Sequence, residues 1–273
     1  FQILLTGVGS YLPKEITSNH DLEKIMDTSD EWIRKRTGIK FRHFVEDNEL
    51  TSDMGTNAAE LAIFNAGLKP KDIDLIILAT TTPDNTFPST ASKIQRNLGS
   101  KAISFDVQAV CAGFIYAISI GVAMLKDTHG KKCLVIGADS MSKILDWNDR
   151  STSVLFGDGA GAVVLEKKIV RNETVENNQW GVLASKIFTN GEYYDLLSTD
   201  GGVSKNKSTG FLRMNGKEIF KHAVEKLSSS LLMCLEECNM NINDLDWLIP
   251  HQANQRIINA CLLYTSPSPR DNR

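Results

Sequence analysis

An uninterrupted apolar run, DLIILATTT at residues 74–82, limits the folds open to this chain more than any other segment does. A run of this length without polar alternation is typical of a strand covered on both faces, and such strands belong to parallel sheets between layers of helices. Helical periodicity comes before the run at residues 52–66, and a second helical pattern follows it at 88–99. The sequence therefore predicts an α/β protein with a parallel sheet.

The same alternation of strand and helix patterns continues through the rest of the chain. The capping-box spacing of Thr28 and Glu31, with Gly38 as the C-cap, predicts a short helix over 29–37. Further strands are predicted at residues 1–9, 102–107, 132–139, 159–167, 180–188 and 246–252, further helices at 111–126 and 216–238, and a glycine-rich loop at 191–212. The two halves share this pattern, and the polar segment 171–179 is the predicted boundary between them.

The amino-acid composition of the chain argues against several classes of function. A net charge of -3 over 273 residues argues against nucleic acid as a partner, and five cysteines are too few for a disulfide framework, which favours a reducing compartment. The apolar segment 110–125 is shorter than the ~20 residues that a membrane-spanning helix needs. The opening FQILLTGVGSYLP lacks the pattern of a secretory signal. We therefore expect a cytoplasmic protein that partners neither nucleic acid nor a membrane.

One cysteine and one histidine follow predicted strands from opposite halves of the chain. Cys111 comes after the strand at 102–107 and begins the helix at 111–126, whereas His251 ends the strand at 246–252. Functional groups in open α/β sheets gather beyond the carboxyl ends of the strands, so the pattern predicts a Cys–His pair. The field of a helix N-terminus would lower the pKa of the thiol below ~8.5. Two alternatives stay open, since Cys111 could be an inert buried thiol and His251 could cap the next helix.

Three other sequence patterns are relevant to nucleotide, dinucleotide or metal binding. Trp32 and Arg36 lie four residues apart and are therefore neighbours on one helix. They have two interpretations: a local cation–π pair, or an aromatic ring and a cation that bind a purine nucleotide. The segment FGDGAGAVV at 156–164 is a poor dinucleotide loop, because Ala162 takes the third glycine position and a strand follows. Cys234 and Cys238 have no nearby ligands to complete a zinc site, so no metal is expected.

Five segments together resemble a known family: GVGSYLPKEITSN, DTSDEWIRKRTGI, VCAGFIYAISIG, DRSTSVLFGDGAGAVVL and LDWLIPHQANQRII. They are similar to β-ketoacyl-acyl-carrier-protein synthase III, the priming condensing enzyme of bacterial type II fatty acid synthesis, over about residues 2–260. The resemblance implies the thiolase fold, in which two similar βαβαβαββ halves form an αβαβα layered sandwich, and it implies a homodimer. The cysteine half would span 1–170 and the histidine half 171–260.

The resemblance also implies a reaction. An acyl-CoA primer, often acetyl-CoA, would be joined to malonyl-acyl-carrier protein with release of carbon dioxide, giving a 3-ketoacyl-carrier protein. Cys111 would be the acylated nucleophile, and His251 would donate a hydrogen bond to the enolate formed when malonyl loses its carboxylate. Acyl-CoA is a substrate in this scheme, so no cofactor is implied.

Further positions match the substrate contacts of the family. The CoA nucleotide contacts correspond to Thr28, Trp32, Arg36 and Arg150, the pantetheine tunnel to Gly216, Phe220, Ala253 and Asn254, and the acyl pocket to Phe87 and Met214. Lys221 and Arg256 match basic groups that dock the acidic carrier protein, although a solvated helix face would explain them as well. Ser151 departs from the glycine that the family often has at the CoA entrance.

Two motifs of the family do not occur in this sequence, namely an HGNTS-like motif with a catalytic asparagine and a glycine-rich GGGF stretch. Family-like sequence stops at about Ala260, and we interpret residues 261–273 as a non-native tail after an incomplete second half. We therefore expect this polypeptide to lack condensation activity. Two other functions stay open: a related synthase of secondary metabolism or of hydroxymethylglutaryl-CoA, and a non-catalytic thiolase-fold partner that binds a carrier protein.

Overall fold

The computed structural model describes residues 1–127, 130–169 and 180–265. Its strands are β1 (Gln2–Tyr11), β2 (Glu15–Ser18), β3 (Phe41–Phe44), β4 (Leu75–Ala79), β5 (Ile103–Val107), β6 (Lys132–Ser140), β7 (Asp158–Lys168), β8 (Leu197–Thr199) and β9 (Leu212–Met214). Its α-helices are α1 (Asn19–Leu22), α2 (Asp30–Thr37), α3 (Thr51–Asn65), α4 (Thr90–Asn97), α5 (Gly113–Lys126), α6 (Arg150–Ser153), α7 (Val203–Asn206), α8 (Gly216–Glu237) and α9 (Gln255–Thr265).

The chain divides into two compact units, each assembled from three segments. Unit 1 comprises Phe1–Glu15, His43–Met141 and Asp158–Ile187, and unit 2 comprises Ile16–Arg42, Ser142–Gly157 and Phe188–Arg273. The predicted boundary at 171–179 lies outside the described residues, so the division of the chain at residue 170 stays a prediction.

Unit 1 is built on a five-stranded sheet in the order β1-β7-β6-β4-β5. The strands β6, β4 and β5 run parallel, and Ala79 of β4 lies opposite both Val107 of β5 and Gly137 of β6. The predicted parallel sheet is thus confirmed for these three strands, whereas β7 runs antiparallel to both β1 and β6.

The central strand β4 is covered on both faces, as its apolar run predicts. Ile76 and Leu78 face a core that α3 and α4 complete, whereas Leu75 and Ile77 face a second core completed by α5. Small residues let α3 pack closely on β1: a Cβ at Gly9 would lie 2.2 Å from the carbonyl oxygen of Ala58. Successive side chains of a strand point to opposite faces of the sheet, so a wholly apolar strand needs helices on both faces. The helix–sheet–helix layers of unit 1 follow from this requirement.

Unit 2 contains two smaller cores. The first gathers Leu22 of α1, Ile33 of α2 and Val154, and the second joins α8 to α9. The strands β8 and β9 form an antiparallel pair within this unit. The helix α2 ends at Gly38 in the left-handed conformation, as predicted, but its N-cap is Ser29 rather than Thr28. The Ser29 hydroxyl accepts a hydrogen bond from the Trp32 backbone at 3.2 Å and so provides the cap.

Two of the predicted strands are wrong. Residues 180–188 and 246–252 form no strand, and in the described chain neither segment belongs to a β-ladder. Both segments have alternating apolar residues. That pattern indicates that one face of the segment is apolar, but it does not show that a neighbouring strand is present to pair with it. Trp247 and Ile249 are each 85% exposed, so the second segment presents this face to solvent.

The last described helix crosses the point where family-like sequence was predicted to stop. Helix α9 runs from Gln255 to Thr265, and Cys261 is buried against Val224 and Ile257. Cys261 therefore belongs to the second core of unit 2, while the remainder of the predicted tail, residues 266–273, lies outside the described residues.

Candidate active site

Cys111 lies in a tight turn between β5 and α5. Residues 110–112 form one turn of 3₁₀-helix, and α5 begins directly afterwards at Gly113. Val110 has a φ of 47°, a conformation that costs a β-branched residue free energy. The turn leaves the Cys111 side chain exposed at the carboxyl edge of the parallel strands. Cys111 is therefore not buried in the described chain, and its predicted position at a helix start is confirmed.

The predicted lowering of the Cys111 pKa is wrong. Desolvation by the surrounding protein raises the pKa of this thiol, and the negative charge of Asp139 raises it further. A backbone hydrogen bond at Cys111 acts in the opposite direction but is weaker. The side chain reaches solvent on one side while protein surrounds the rest, so exposure and desolvation coexist here. The sequence argument considered only the helix field and could not include these two tertiary effects.

Glycines allow the turn and its helix to approach the sheet. A Cβ at Gly113 would lie 3.2 Å from the Cβ of Ala79, at the end of β4. A Cβ at Gly137 of β6 would lie 3.2 Å from the Phe114 ring. This close contact fixes the first turn of α5, and with it Cys111, against the ends of two strands.

His251 lies in unit 2, four residues before α9 begins. The cap of α9 is Asn254, whose side-chain oxygen accepts a hydrogen bond from the Ile257 backbone at 3.0 Å. The alternative that His251 caps this helix is therefore wrong. Desolvation lowers the pKa of His251, although one side of the ring reaches solvent. The imidazole is thus neutral at pH 7 and retains one N–H donor.

An aromatic and basic depression lies beside α2. The guanidinium carbon of Arg36 lies 4.3 Å from the centre of the Trp32 ring, and that of Arg150 lies 5.1 Å from it. Arg150 is held there by Asp27, to whose carboxylate it donates at 3.2 Å. The depression has a volume of about 530 Å³ and is lined by Ser29, Glu31, Trp32, Lys35, Arg36 and Arg256. The structure therefore adds Arg256, from α9, to the group predicted around Trp32.

A second depression in unit 2, of about 550 Å³, contains two of the predicted substrate residues. Met214 and Gly216 line it, together with Ser151, Asp195, Arg213 and Asn215. Arg213 was missed in the sequence, where nothing distinguishes it from other surface arginines. It donates to Asp146 at 2.7 Å and to Asp200 at 2.8 Å, so its charge is neutralised within the site.

The remaining predicted residues lie in different surroundings. Phe220 and Ala253 pack in the core between α8 and α9, and the Arg256 guanidinium carbon lies 5.3 Å from the centre of the Phe220 ring. Lys221 is exposed on α8, and Phe87 of unit 1 is 82% exposed. Thr28 carries a buried hydroxyl without a hydrogen-bond partner in the described chain.

The described residues contain neither a cluster of metal ligands nor a membrane-spanning helix. Among residues 1–127, 130–169 and 180–265, no three His, Cys, Asp or Glu side chains cluster as metal ligands would. No helix in this part of the chain is long and apolar enough to cross a membrane. The segment 156–164 lies largely in β7, which confirms the strand predicted at 159–167.

Comparison with known proteins identifies the family. A protein of Ehrlichia canis (strain Jake) named β-ketoacyl-acyl-carrier-protein synthase III is 53% identical over 256 residues, which are 93% of this chain and 78% of that protein. This chain belongs to the β-ketoacyl-acyl-carrier-protein synthase III family. A protein of the same name from Sphingopyxis alaskensis is 50% identical over 258 residues, which are 94% of this chain and 78% of the relative.

Two further findings agree with membership of the synthase III family. The family model described as 3-oxoacyl-acyl-carrier-protein (ACP) synthase III matches residues 105–191. The crystal structure of the Aquifex aeolicus VF5 synthase III is 43% identical and superposes with a TM-score of 0.88, covering 96% of this chain and 80% of that one. The predicted family, its acyltransferase class and the thiolase fold are thereby confirmed.

Proposed function

We propose that Cys111 is the acylated nucleophile of the priming condensation of fatty acid synthesis, the reaction of this family, in which acyl-CoA is condensed with malonyl-acyl-carrier protein. The supporting observation is the exposed thiol at the turn before α5, in a chain about half identical to named synthases III. The family identification favours this function over a related synthase of secondary metabolism and over a non-catalytic partner. The reaction needs no cofactor, because acyl-CoA is itself a substrate.

The first step is transfer of the acyl group to Cys111. The sulfur attacks the thioester carbonyl carbon of acyl-CoA, a new carbon–sulfur bond forms, and the bond to the CoA sulfur breaks. The proton lost by Cys111 is balanced by the proton that the CoA thiolate takes up on leaving. Because the pKa of the free thiol is raised, the thiolate is a minor species at pH 7, but each thiolate that forms is a strong nucleophile.

The second step is decarboxylation and condensation. Malonyl-acyl-carrier protein loses carbon dioxide, and the electron pair left behind forms an enolate with negative charge on the thioester oxygen. The enolate carbon then attacks the acyl carbonyl carbon, and the Cys111 thiolate leaves. We assign His251 as a donor to the enolate oxygen, since a neutral imidazole N–H suits this task. Removal of one such donor commonly raises a barrier by ~3 kcal/mol.

The basic depression beside α2 is proposed as the CoA nucleotide site. The Trp32 ring offers a face for a purine, and Arg36 and Arg150 offer positive charge for phosphates. Thr28, whose buried hydroxyl has no hydrogen-bond partner in the described chain, is proposed to belong to this site. Met214 belongs to the proposed acyl pocket with Phe87, and Gly216, Phe220, Ala253 and Asn254 to the proposed pantetheine tunnel. Lys221 and Arg256 are proposed to dock the carrier protein.

We propose a cytoplasmic homodimer whose contact includes β5. This strand is the last of the five-stranded sheet, and exposed edges of this kind pair readily with another chain. Ile103 on β5 is 53% exposed, which makes the edge apolar as well. A second copy of the chain would cover both features.

A CoA-release assay tests the acyl-transfer step. The purified chain is mixed with a small excess of acetyl-CoA, and free CoA is measured with a thiol reagent in the millisecond-to-minute range. One equivalent of CoA per chain is expected as a burst, and Cys111→Ser is expected to lose at least about 100-fold of its rate. Cys238→Ser, which alters a thiol at the C-cap of α8, should keep the burst. An unchanged burst in Cys111→Ser would remove this residue from its proposed role.

Condensation is measured separately, with malonyl-acyl-carrier protein as the second substrate. The expectation that this polypeptide lacks condensation activity stays a prediction. A normal turnover number would refute it, without affecting the acyl-transfer result.

A further inference from the structure

Three consecutive threonines after β4 converge on one carboxylate at the end of β6. The Oδ1 atom of Asp139 accepts hydrogen bonds from the backbone N–H of Thr81 at 2.7 Å and from its hydroxyl at 2.8 Å. The hydroxyls of Thr80 and Thr82 donate to the same oxygen at 3.2 and 3.1 Å. Four donors on one carboxylate oxygen hold residues 80–82 in a single conformation.

Hydrogen bonds connect this cluster to α3, to β5 and to the end of β6. The Ser140 backbone donates to the Thr82 hydroxyl at 2.8 Å, and the Thr51 hydroxyl of α3 donates to the Thr82 carbonyl at 2.7 Å. The Thr80 backbone donates to the carbonyl of Val107 at the end of β5 at 3.2 Å. The cluster therefore joins the carboxyl ends of β4, β5 and β6.

The same three strand ends surround the nucleophile. Cys111 lies four residues beyond Val107, and Asp139 lies two residues beyond Gly137, which is level with Val107 across β4. We propose that Asp139 is a positioning residue for the Cys111 reaction, tying residues 80–82 to the end of β6 and supplying the negative charge that faces the nucleophile. This inference rests on the proposed role of Cys111.

Other charged groups near this edge are directed elsewhere. Asp106 of β5 accepts hydrogen bonds from the backbones of Thr90 and Ala91, both at 2.7 Å, and caps α4. Asp84 binds the Ser52 backbone at 3.0 Å and the Lys93 ammonium at 3.0 Å. Strand β4 is apolar, and α5 holds Tyr116 and no charged residue before Lys126. Among the described residues of unit 1, Asp139 thus supplies a negative charge that acts on the Cys111 thiol.

The charge has a consequence for the resting enzyme. A carboxylate facing a thiol disfavours the thiolate, and the thiolate is the form that alkylating agents and oxidants attack. An acylated Cys111 carries no charge and is not repelled. Asp139 therefore protects the free nucleophile and does not oppose the acyl-enzyme.

The test is the pH profile of Cys111 alkylation. The chain is treated with iodoacetamide between pH 6 and 10, and labelling of the Cys111 peptide is followed by mass spectrometry. Asp139→Asn is expected to move the midpoint to lower pH and to speed labelling at pH 7 by roughly threefold or more. Asp84→Asn is the matched control, and its profile should coincide with that of the wild type. Thr81→Val removes the hydrogen bonds of the hydroxyl to Asp139 and to the Met141 sulfur but keeps the charge of Asp139, so the midpoint of this variant should not move.

Two further measurements keep the test decisive. Circular dichroism melting shows which variants fold, and Asp139→Ser, which removes the charge but keeps an oxygen acceptor, should give the same shift if Asp139→Asn does not fold. A midpoint that stays unchanged in the folded Asp139 variants would overturn the proposal. Alkylation needs no acyl-CoA, so this result is independent of whether Cys111 accepts an acyl group.

Discussion

At the scale of single residues, the protein environment favours the neutral forms of both Cys111 and His251. Desolvation raises the pKa of the Cys111 thiol and lowers the pKa of the His251 imidazole. Both shifts favour the uncharged species, as burial does in general. The sequence located both residues but predicted the direction of the Cys111 pKa shift wrongly, because desolvation and, after it, the charge of Asp139 act on the thiol only in the folded chain.

The His251 titration follows from the same physics. The folded-state pKa of this residue lies below its unfolded value, so folding stability from this group is present above the unfolded pKa and is lost as pH falls through the folded one. NMR of the imidazole C–H signals, assigned with a His251→Gln variant, should give a midpoint below ~6.5 in the native protein. The same signal in denaturant should return to the ordinary value. A native midpoint at or above the denatured one would contradict the assignment of a neutral donor.

At the scale of elements, helices and buried strands were predicted well because their signals are local. The predicted helix at 216–238 is α8, and the predicted strand at 74–82 contains β4. The segments 180–188 and 246–252 carry equally apolar patterns but form no strand. A strand requires a partner for its backbone, and the identity of that partner is not encoded in the segment itself.

The end of α2 offers a test of packing within unit 2. Gly38 has a φ of 77°, and a Cβ there would lie 2.9 Å from the Cβ of Gln255 on α9. Gly67 has a φ of 69° with open space around it, so it serves as the matched control. Gly67→Ala should lower the free energy of unfolding by about 1 kcal/mol through backbone strain alone. Gly38→Ala should cost about 1 kcal/mol more in urea denaturation, because α9 must move. Equal costs would contradict the α2–α9 contact.

At the scale of the whole molecule, the family and the thiolase fold were predicted from five separated motifs. What the motifs could not supply was the environment of the site: the Asp139 cluster, the paired charges around Arg213, and Arg256 beside Trp32. Each of these brings together side chains far apart in sequence. A local pattern carries no information about such contacts.

The proposed homodimer is tested by light scattering in solution. The wild-type chain should have twice the mass of one polypeptide at micromolar concentration. Ile103→Lys places a charge on the exposed edge strand β5 and should shift the mass towards one chain. Leu61→Lys, at an exposed apolar position on α3, is the control and should leave the mass unchanged. A wild-type protein that stays monomeric at all concentrations would contradict the proposal.

Peptide-mapped mass spectrometry after brief exposure to acetyl-CoA tests the acyl-enzyme most directly. The account predicts an acetyl group on the peptide containing Cys111, absent from Cys111→Ser, while buried Cys133, whose pKa burial raises strongly, stays unmodified. Acetyl label on another residue, or label that persists in Cys111→Ser, would contradict the account.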